Sequence, residues 1–273
     1  MGIISMTRII LFFVLLISAR SLSQNLRIGY EYKFVEDSLH PGNITREFVY
    51  LDITENGSNF YSRPRYLNDS LSFYKKTRIS VYPSKINFSV KKYPSGDILV
   101  NSTIGNNSFT FREGEELKWN ISPEKKQISG FTAQKATLSF GGRNWTAWFS
   151  DKIPVQDGPY IFHGLPGLVL SIEDEKKQHT FNMIGIEKKS IPFEIEKTES
   201  KILTRKEFNA QWKMYKVDPN ARLKALSAKT KTKFAIEWNG EMLNQNEIYK
   251  REEERAKKEI LHKNNFLDLN LYK

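Results

Sequence analysis

The chain has 273 residues, 39% hydrophobic and 13% aromatic, enough apolar surface to bury a sizeable core and too much for wholesale disorder. It has no cysteine, which excludes disulfides, thiolate metal sites, cysteine nucleophiles and a lipidated N-terminal cysteine. The formal charge is +11, but the lysines are scattered as pairs such as Lys75-Lys76, Lys91-Lys92 and Lys188-Lys189, which reads as a solvated basic surface and not as a nucleic-acid site.

The first residues have the layout of an export leader. Arg8 supplies positive charge, Ile9 to Ile17 is an unbroken apolar run, and the small residues Ser18, Ala19, Ser21 and Ser23 follow. That run is shorter than the roughly 20 residues a membrane helix needs, so residues 1–23 are expected to be a cleaved signal peptide that leaves no transmembrane span. Loss of Arg8 and Arg20 leaves 40 bases against 31 acids, a charge of +9. The expected location is the periplasm, the outer membrane or the outside of the cell.

From residue 24 to about 203 the period is that of strands. Leu26, Ile28, Tyr30 and Tyr32 alternate with polar or small residues, and Phe48 to Ile53 splits into two faces. Glu55-Asn56-Gly57-Ser58 reads as a hairpin turn, because Asn-Gly accepts positive φ at little cost. Pro94 to Asp97 reads as a second turn, Asn106-Asn107 as a third, and Ser122 to Lys125 as a fourth. Near Thr204 the period changes. Thr204 and Glu207 form a capping box, Phe208, Trp212 and Tyr215 recur at helical spacing, and Asp218-Pro219 ends the helix. Phe234, Ile236 and Trp238 suggest one late strand before Asn239-Gly240. Residues 246–263 read as a charged, mostly exposed helix with the i,i+4 pairs Glu253–Lys257, Glu254–Lys258 and Glu259–Lys263.

The expected fold is therefore mainly β, in the α+β class: a curved antiparallel sheet, extending up to a half-barrel, with C-terminal helices. Residues 24–203 would form the sheet domain. Residues 204–273 would be a helical or mixed extension, packed on the sheet or partly exposed.

Residues 128–172 carry the most specific pattern. Its pieces are Ile128-Ser129-Gly130-Phe131, Gln134-Lys135-Ala136, Gly142-Arg143, Ala147-Trp148-Phe149, Ile153-Pro154-Val155, Gly158-Pro159-Tyr160 and Gly164-Leu165-Pro166-Gly167-Leu168. In this order and spacing they closely resemble the diagnostic region of the GLPGLI family of exported Bacteroidota proteins. Val169 stands where family members usually carry isoleucine, and Ala133 where many carry cysteine. The resemblance implies a β-rich fold and an envelope address, and no biochemical activity. More loosely, the hairpin from Gly130-Phe131 to Ala147-Trp148-Phe149 resembles those of bacterial lipoprotein-carrier half-barrels, which implies a groove for a lipophilic ligand.

Read from its residues, the motif is structural. Leu165 precedes a proline and is pushed toward extended geometry, Pro166-Gly167 suits the centre of a type II turn, and Leu165 and Leu168 would pin that turn to apolar neighbours. The result is a buried corner between two strands. In the alternative reading the loop from Asp157 to Gly167 lines a cleft. The candidate ligand-facing or structural positions are Trp148, Gly158, Pro159, Tyr160, Phe162, His163, Gly164, Leu165, Pro166, Gly167 and Leu168.

Other chemistry is sparse. His40, His163, His179 and His262 are far apart and no HExxH is present, so no metal site has a local nucleus. There is no GxSxG elbow, phosphate-cradling loop or dinucleotide fingerprint, and the sequence nominates no catalytic residue and no cofactor. Asp37-Ser38-Leu39 and Asp69-Ser70-Leu71 resemble O-glycan attachment sites of exported Bacteroidota proteins, which makes Ser38 and Ser70 candidates. Three functions stay open. The first is a binding or accessory protein with a lipophilic or peptide ligand, or with an outer-membrane transport partner. The second is a structural partner of another envelope protein, and the third a hydrolase whose Asp157, Tyr160 and His163 converge.

Overall fold

The computed structural model describes residues 25–78, 80–188, 201–231, 234–238 and 240–273, and the expected signal peptide lies outside them. The described strands are β1 (Leu26–Val35), β2 (Ile44–Thr54), β3 (Gly57–Ser62), β4 (Phe88–Lys92), β5 (Ile98–Ile104), β6 (Asn107–Glu113), β7 (Asn120–Ile128), β8 (Phe131–Phe140), β9 (Arg143–Ser150), β10 (Leu168–Asp174), β11 (His179–Lys188), β12 (Ile202–Thr204), β13 (Ala235–Trp238) and β14 (Glu241–Asn244). The helices are α1 (Arg63–Lys75), α2 (Arg205–Val217), α3 (Ala221–Thr230) and α4 (Gln245–His262). Twelve strands form one sheet in the order β12-β6-β5-β4-β3-β2-β1-β11-β10-β9-β8-β7. Its end strands do not pair, so it stays open and is no closed barrel. The fold is mainly β and antiparallel, with helices after residue 204, as the sequence patterning led us to expect.

Alternation sets the faces. On β1 the side chains of Ile28, Tyr30, Tyr32 and Phe34 are buried on one side, which we call the inner face. Tyr32 stacks on Phe181 of β11 at 4.0 Å, and Phe60 of β3 meets the same ring edge-on. Arg27 points the other way. Its guanidinium pairs with Asp52 at 2.6 Å and lies over the rings of Tyr50 and Tyr66. Tyr66 belongs to α1, so this buried ion pair fastens the helix to the outer face.

Four features depart from the sequence reading. Helix α1 was not foreseen, although Ser62 caps it by accepting from the Arg65 N–H and Pro64 sits in its first turn. The turn expected at Ser122 to Lys125 is a bulge inside the edge strand β7, where the register shifts between Ile121 and Lys125. One pair, β12 with β6, is parallel. The late strand is one arm of the separate β13–β14 hairpin.

Residues 264–273 matter most for the interior. They cross the inner face without regular structure, from the end of β1 to α2. Asn264 and Asn265 donate backbone N–H groups to the Glu36 carbonyl, Leu269 N–H donates to the Gly141 carbonyl, and Trp212 Nε1 donates to the Tyr272 carbonyl. Phe266 and Tyr272 stack at 3.8 Å, and Trp212 meets both rings edge-on. Gly141 and Gly142 make room for this segment. A Cβ on Gly141 would lie 2.9 Å from Asp268 Cα, and one on Gly142 3.2 Å from Asn270 Oδ1.

Arg143 is the clamp. Its Nη1 donates to Asp174 at 2.8 Å, its Nη2 to Asn265 Oδ1 at 2.6 Å, and Nε and Nη2 both reach the Phe266 carbonyl. His179 completes the clasp, donating from Nε2 to the Asn265 carbonyl and accepting the Tyr32 hydroxyl at Nδ1. The carbonyl can only accept, which fixes that tautomer. Burial pushes the His179 imidazole well below its ordinary range, and the Arg143 charge acts in the same direction.

Replacing Arg143 by alanine leaves Asp174 buried without its cation, and we expect a loss of about 3–5 kcal/mol in urea denaturation, with cleavage after residue 262 by added protease. A loss under about 1 kcal/mol would show the clamp to be dispensable. The folded chain refuses a proton at His179 that the unfolded chain takes up near pH 6.5. Stability is therefore full above about pH 6.5 and declines below it, by up to ~1.4 kcal/mol per pH unit. In His179→Gln the decline in urea midpoint between pH 7 and pH 5 should flatten; an unchanged slope would exclude His179 as its source.

Candidate functional site

The connection between β9 and β10, residues 151–167, turns back over the inner face and carries most of the candidate positions. Phe162 N–H donates to the Pro159 carbonyl, closing a turn that holds Tyr160 at φ +53. For a bulky aromatic residue that left-handed conformation is uncommon and costs energy. The turn is over-determined. Gly158 lies so close to Val169 that a Cβ there would approach Val169 Cβ to 2.7 Å. Asp157 forms an ion pair with the buried Lys92 of β4 and accepts the Ser58 hydroxyl at 2.5 Å. Lys92 also donates to the Gly158 carbonyl at 2.7 Å, and burial lowers its pKa against the pull of Asp157. From the other side, Tyr30 donates its hydroxyl to the Val169 carbonyl and Trp119 Nε1 to that of His163.

These ties drive Tyr160, Ile161 and Phe162 into the core. Phe162 packs on Trp145 at 4.7 Å, with Phe140 and Tyr160 edge-on to it. Leu165 and Leu168 are buried, so the motif is a buried corner in that sense. The expected type II turn is not what forms there. Gly167 stands at φ +151, its N–H bonds the Leu165 carbonyl two residues back, and Leu168 N–H turns to Ile153. Glycine is required by proximity, because a Cβ would sit 2.1 Å from the Ser150 carbonyl oxygen.

Between the inner face, the motif loop and the C-terminal segment lies a cavity of ≈ 90 Å³, walled by Tyr32, Phe88, Phe111, Tyr160, Trp212 and Tyr272. Of the candidate positions, Tyr160 is the one that lines it. Trp148 faces the opposite side of the sheet, with Lys126 Nζ 3.9 Å from its ring centroid. His163 donates from Nδ1 to the Ile161 carbonyl, and Gly164 and Pro166 are exposed. Asp157, Tyr160 and His163 share no hydrogen bond or ion pair: Asp157 is held by Lys92 and Ser58, His163 by the Ile161 carbonyl, and the Tyr160 ring packs against Phe88 and Phe162. Ser38 is exposed in the β1–β2 loop, and Ser70 is half-buried within α1. Sequence reasoning missed the cavity wall supplied by the C-terminal segment. The signal was there in Leu267, Leu269 and Leu271, every second residue apolar after a charged helix.

A cluster of charges backs the cavity. Arg205, the first residue of α2, forms ion pairs with Glu113 of β6 and, at 2.6 Å, with Asp268. Burial raises the Glu113 pKa, and Arg205 opposes the rise. Burial also holds the Tyr160 hydroxyl well above its ordinary range, with Asp268 and Glu113 adding to the effect.

Comparison with known proteins agrees with the motif. A family model described as a protein of unknown function (Porph_ging) matches residues 141–171, so the resemblance to the GLPGLI family holds over that stretch. No curated protein matches the chain. Two crystal structures of PNGF-II, in space groups P21 and C2, are similar at 13% and 14% identity with a TM-score of 0.47. Each alignment covers 67% of this chain and 31% of that one, so the chain spans under a third of those proteins. A likeness this weak carries no argument.

The two motif glycines should respond differently to alanine. At Gly164, with φ +86 and open space around it, we expect a cost of about 1–2 kcal/mol. At Gly167 the new methyl meets backbone, and the cost should exceed about 4 kcal/mol or prevent folding. Equal thermal stability of the two variants would refute the close-approach account.

Proposed function

We propose that this chain is an exported binding or accessory protein of the cell envelope, and that its ligand is a small lipophilic molecule held between the sheet, the motif loop and the C-terminal segment. One observation carries the reading: an aromatic-walled cavity into which the family motif delivers Tyr160. Well-formed apolar pockets with a few convergent polar groups are the usual form of such sites. Its ≈ 90 Å³ is small beside the roughly 300–1,000 Å³ of ordinary ligand pockets, which favours a small lipophile over a peptide. A full-length acyl chain would require residues 264–273 to leave the inner face.

Docking to another envelope protein is a second reading. It is favoured by exposed apolar side chains on the β13–β14 hairpin, where Trp238 and Met242 are 55% and 65% exposed. Among the described residues no helix is long and apolar enough to cross a membrane.

Native mass spectrometry of protein gently purified from its own host distinguishes the two. Wild type should carry a small-molecule adduct, and Val100→Phe, which fills the cavity from β5, should lack it while remaining folded. An adduct on both proteins would place the ligand elsewhere. A spectrum with no adduct and a second protein bound would favour docking.

A further inference from the structure

The polar groups of the cavity specify more than its size. His179 is engaged by Tyr32 and the Asn265 carbonyl, and the Tyr272 hydroxyl pairs with Ser102 at 3.2 Å. Asp268 is held by Arg205 and the Leu271 N–H, and the Asn265 side chain by Arg143 and the Val35 carbonyl. Tyr160 differs. It is 4% exposed, its ring is fixed edge-on against Phe88 and Phe162, and no group among the described residues hydrogen-bonds its hydroxyl. Its hydroxyl opens onto the cavity with its proton free to donate, and its backbone is in the uncommon left-handed conformation. A ligand atom that accepts that hydrogen bond gains about 0.5–1.5 kcal/mol over one that cannot.

Charge narrows the class further. Lys85 and Lys263 line the cavity with Glu36, Glu259 and Asp268, two positive charges against three negative. The lysines are exposed and mark the mouth, each beside a glutamate, at 3.6 Å for Lys85–Glu36 and 4.0 Å for Lys263–Glu259. The carboxylate buried behind the aromatic wall is Asp268. An anionic head group pushed inward would meet that negative excess, and any full charge would lose its hydration among aromatic rings. With the phenol pKa held up, Tyr160 stays a donor across the physiological range.

Resting on the proposed ligand cavity, we infer that it selects a neutral lipophile with one hydrogen-bond-accepting oxygen, a carbonyl, ether or alcohol, which accepts from the Tyr160 hydroxyl. The apolar part of the ligand lies against Phe88, Phe111 and Trp212, and anything longer leaves through the mouth between Lys85 and Lys263. Tyr160 is thus a specificity-determining residue.

The test is an NMR titration of the full chain with four small probes: pentan-2-one, butyrate, butylammonium and cyclopentane. Pentan-2-one should bind at least about tenfold more tightly than either ion. Tyr160→Phe, which keeps the ring and loses the donor, should weaken pentan-2-one about 3- to 10-fold and leave cyclopentane within about twofold. Butyrate or butylammonium binding as tightly as the ketone, or a ketone affinity indifferent to Tyr160→Phe, would overturn the inference while the cavity reading stood. Failure of every probe to bind, cyclopentane included, would remove the cavity reading itself.

Discussion

Arg143 is buried at a desolvation cost that only its full set of acceptors offsets, and the position of the C-terminal segment depends on that set being complete. Two acceptors come from that segment, the Asn265 side chain and the Phe266 carbonyl, and one from Asp174 at the end of β10. A guanidinium serves here because its planar fork reaches several acceptors in fixed directions, which a lysine ammonium does not. Arg143 alone therefore joins β9, β10 and the last ten residues. His179 locks the same residues from β11 as a neutral ring.

The matched stretch, residues 141–171, acquires a physical meaning from this arrangement. It begins with Gly141-Gly142-Arg143, which receives the C-terminal segment. It ends with the glycine corner and the first half of β10, which press the Tyr160 turn into the core. The pattern encodes the two inserts that fill the inner face of an open sheet, one from the middle of the chain and one from its end. A groove that looks empty in the alternation of strand residues is largely occupied by the molecule itself, and what remains is the small space between the inserts.

Much of the sheet was legible in the sequence because strand alternation and turn chemistry are local. Asn56-Gly57 and Pro94 to Asp97 stand where two of the hairpins turn, and Thr204 with Glu207 caps α2 as the capping box requires. Helix α1 was not legible: its apolar residues, Tyr66, Leu67, Leu71, Phe73 and Tyr74, are interrupted by polar ones, none is buried, and its anchor is a tyrosine clasping Arg27 from 39 positions away. Ser122 to Lys125 has turn chemistry, yet pairing with β8 keeps it extended and turns the surplus residues into a bulge. At the site, the reading reached Tyr160 but could not reach Asp268, Tyr272 or Ser102. Their meeting depends on where the last ten residues run, and nothing in a local period fixes that.

The position of β1 has a consequence for how the chain is made. It is among the first strands in sequence, yet it sits mid-sheet between β2 and β11, whose partnering residues lie about 150 positions downstream. As the polypeptide emerges, β1 to β6 can assemble as a meander, but the far edge of β1 keeps its hydrogen-bonding groups unpaired until residue 188 has appeared. An open edge beside Tyr30 and Tyr32 is a template for association with other chains. The nascent protein thus passes through a long adhesive interval, the stage at which a holding chaperone would act, and that interval closes only when the second half arrives.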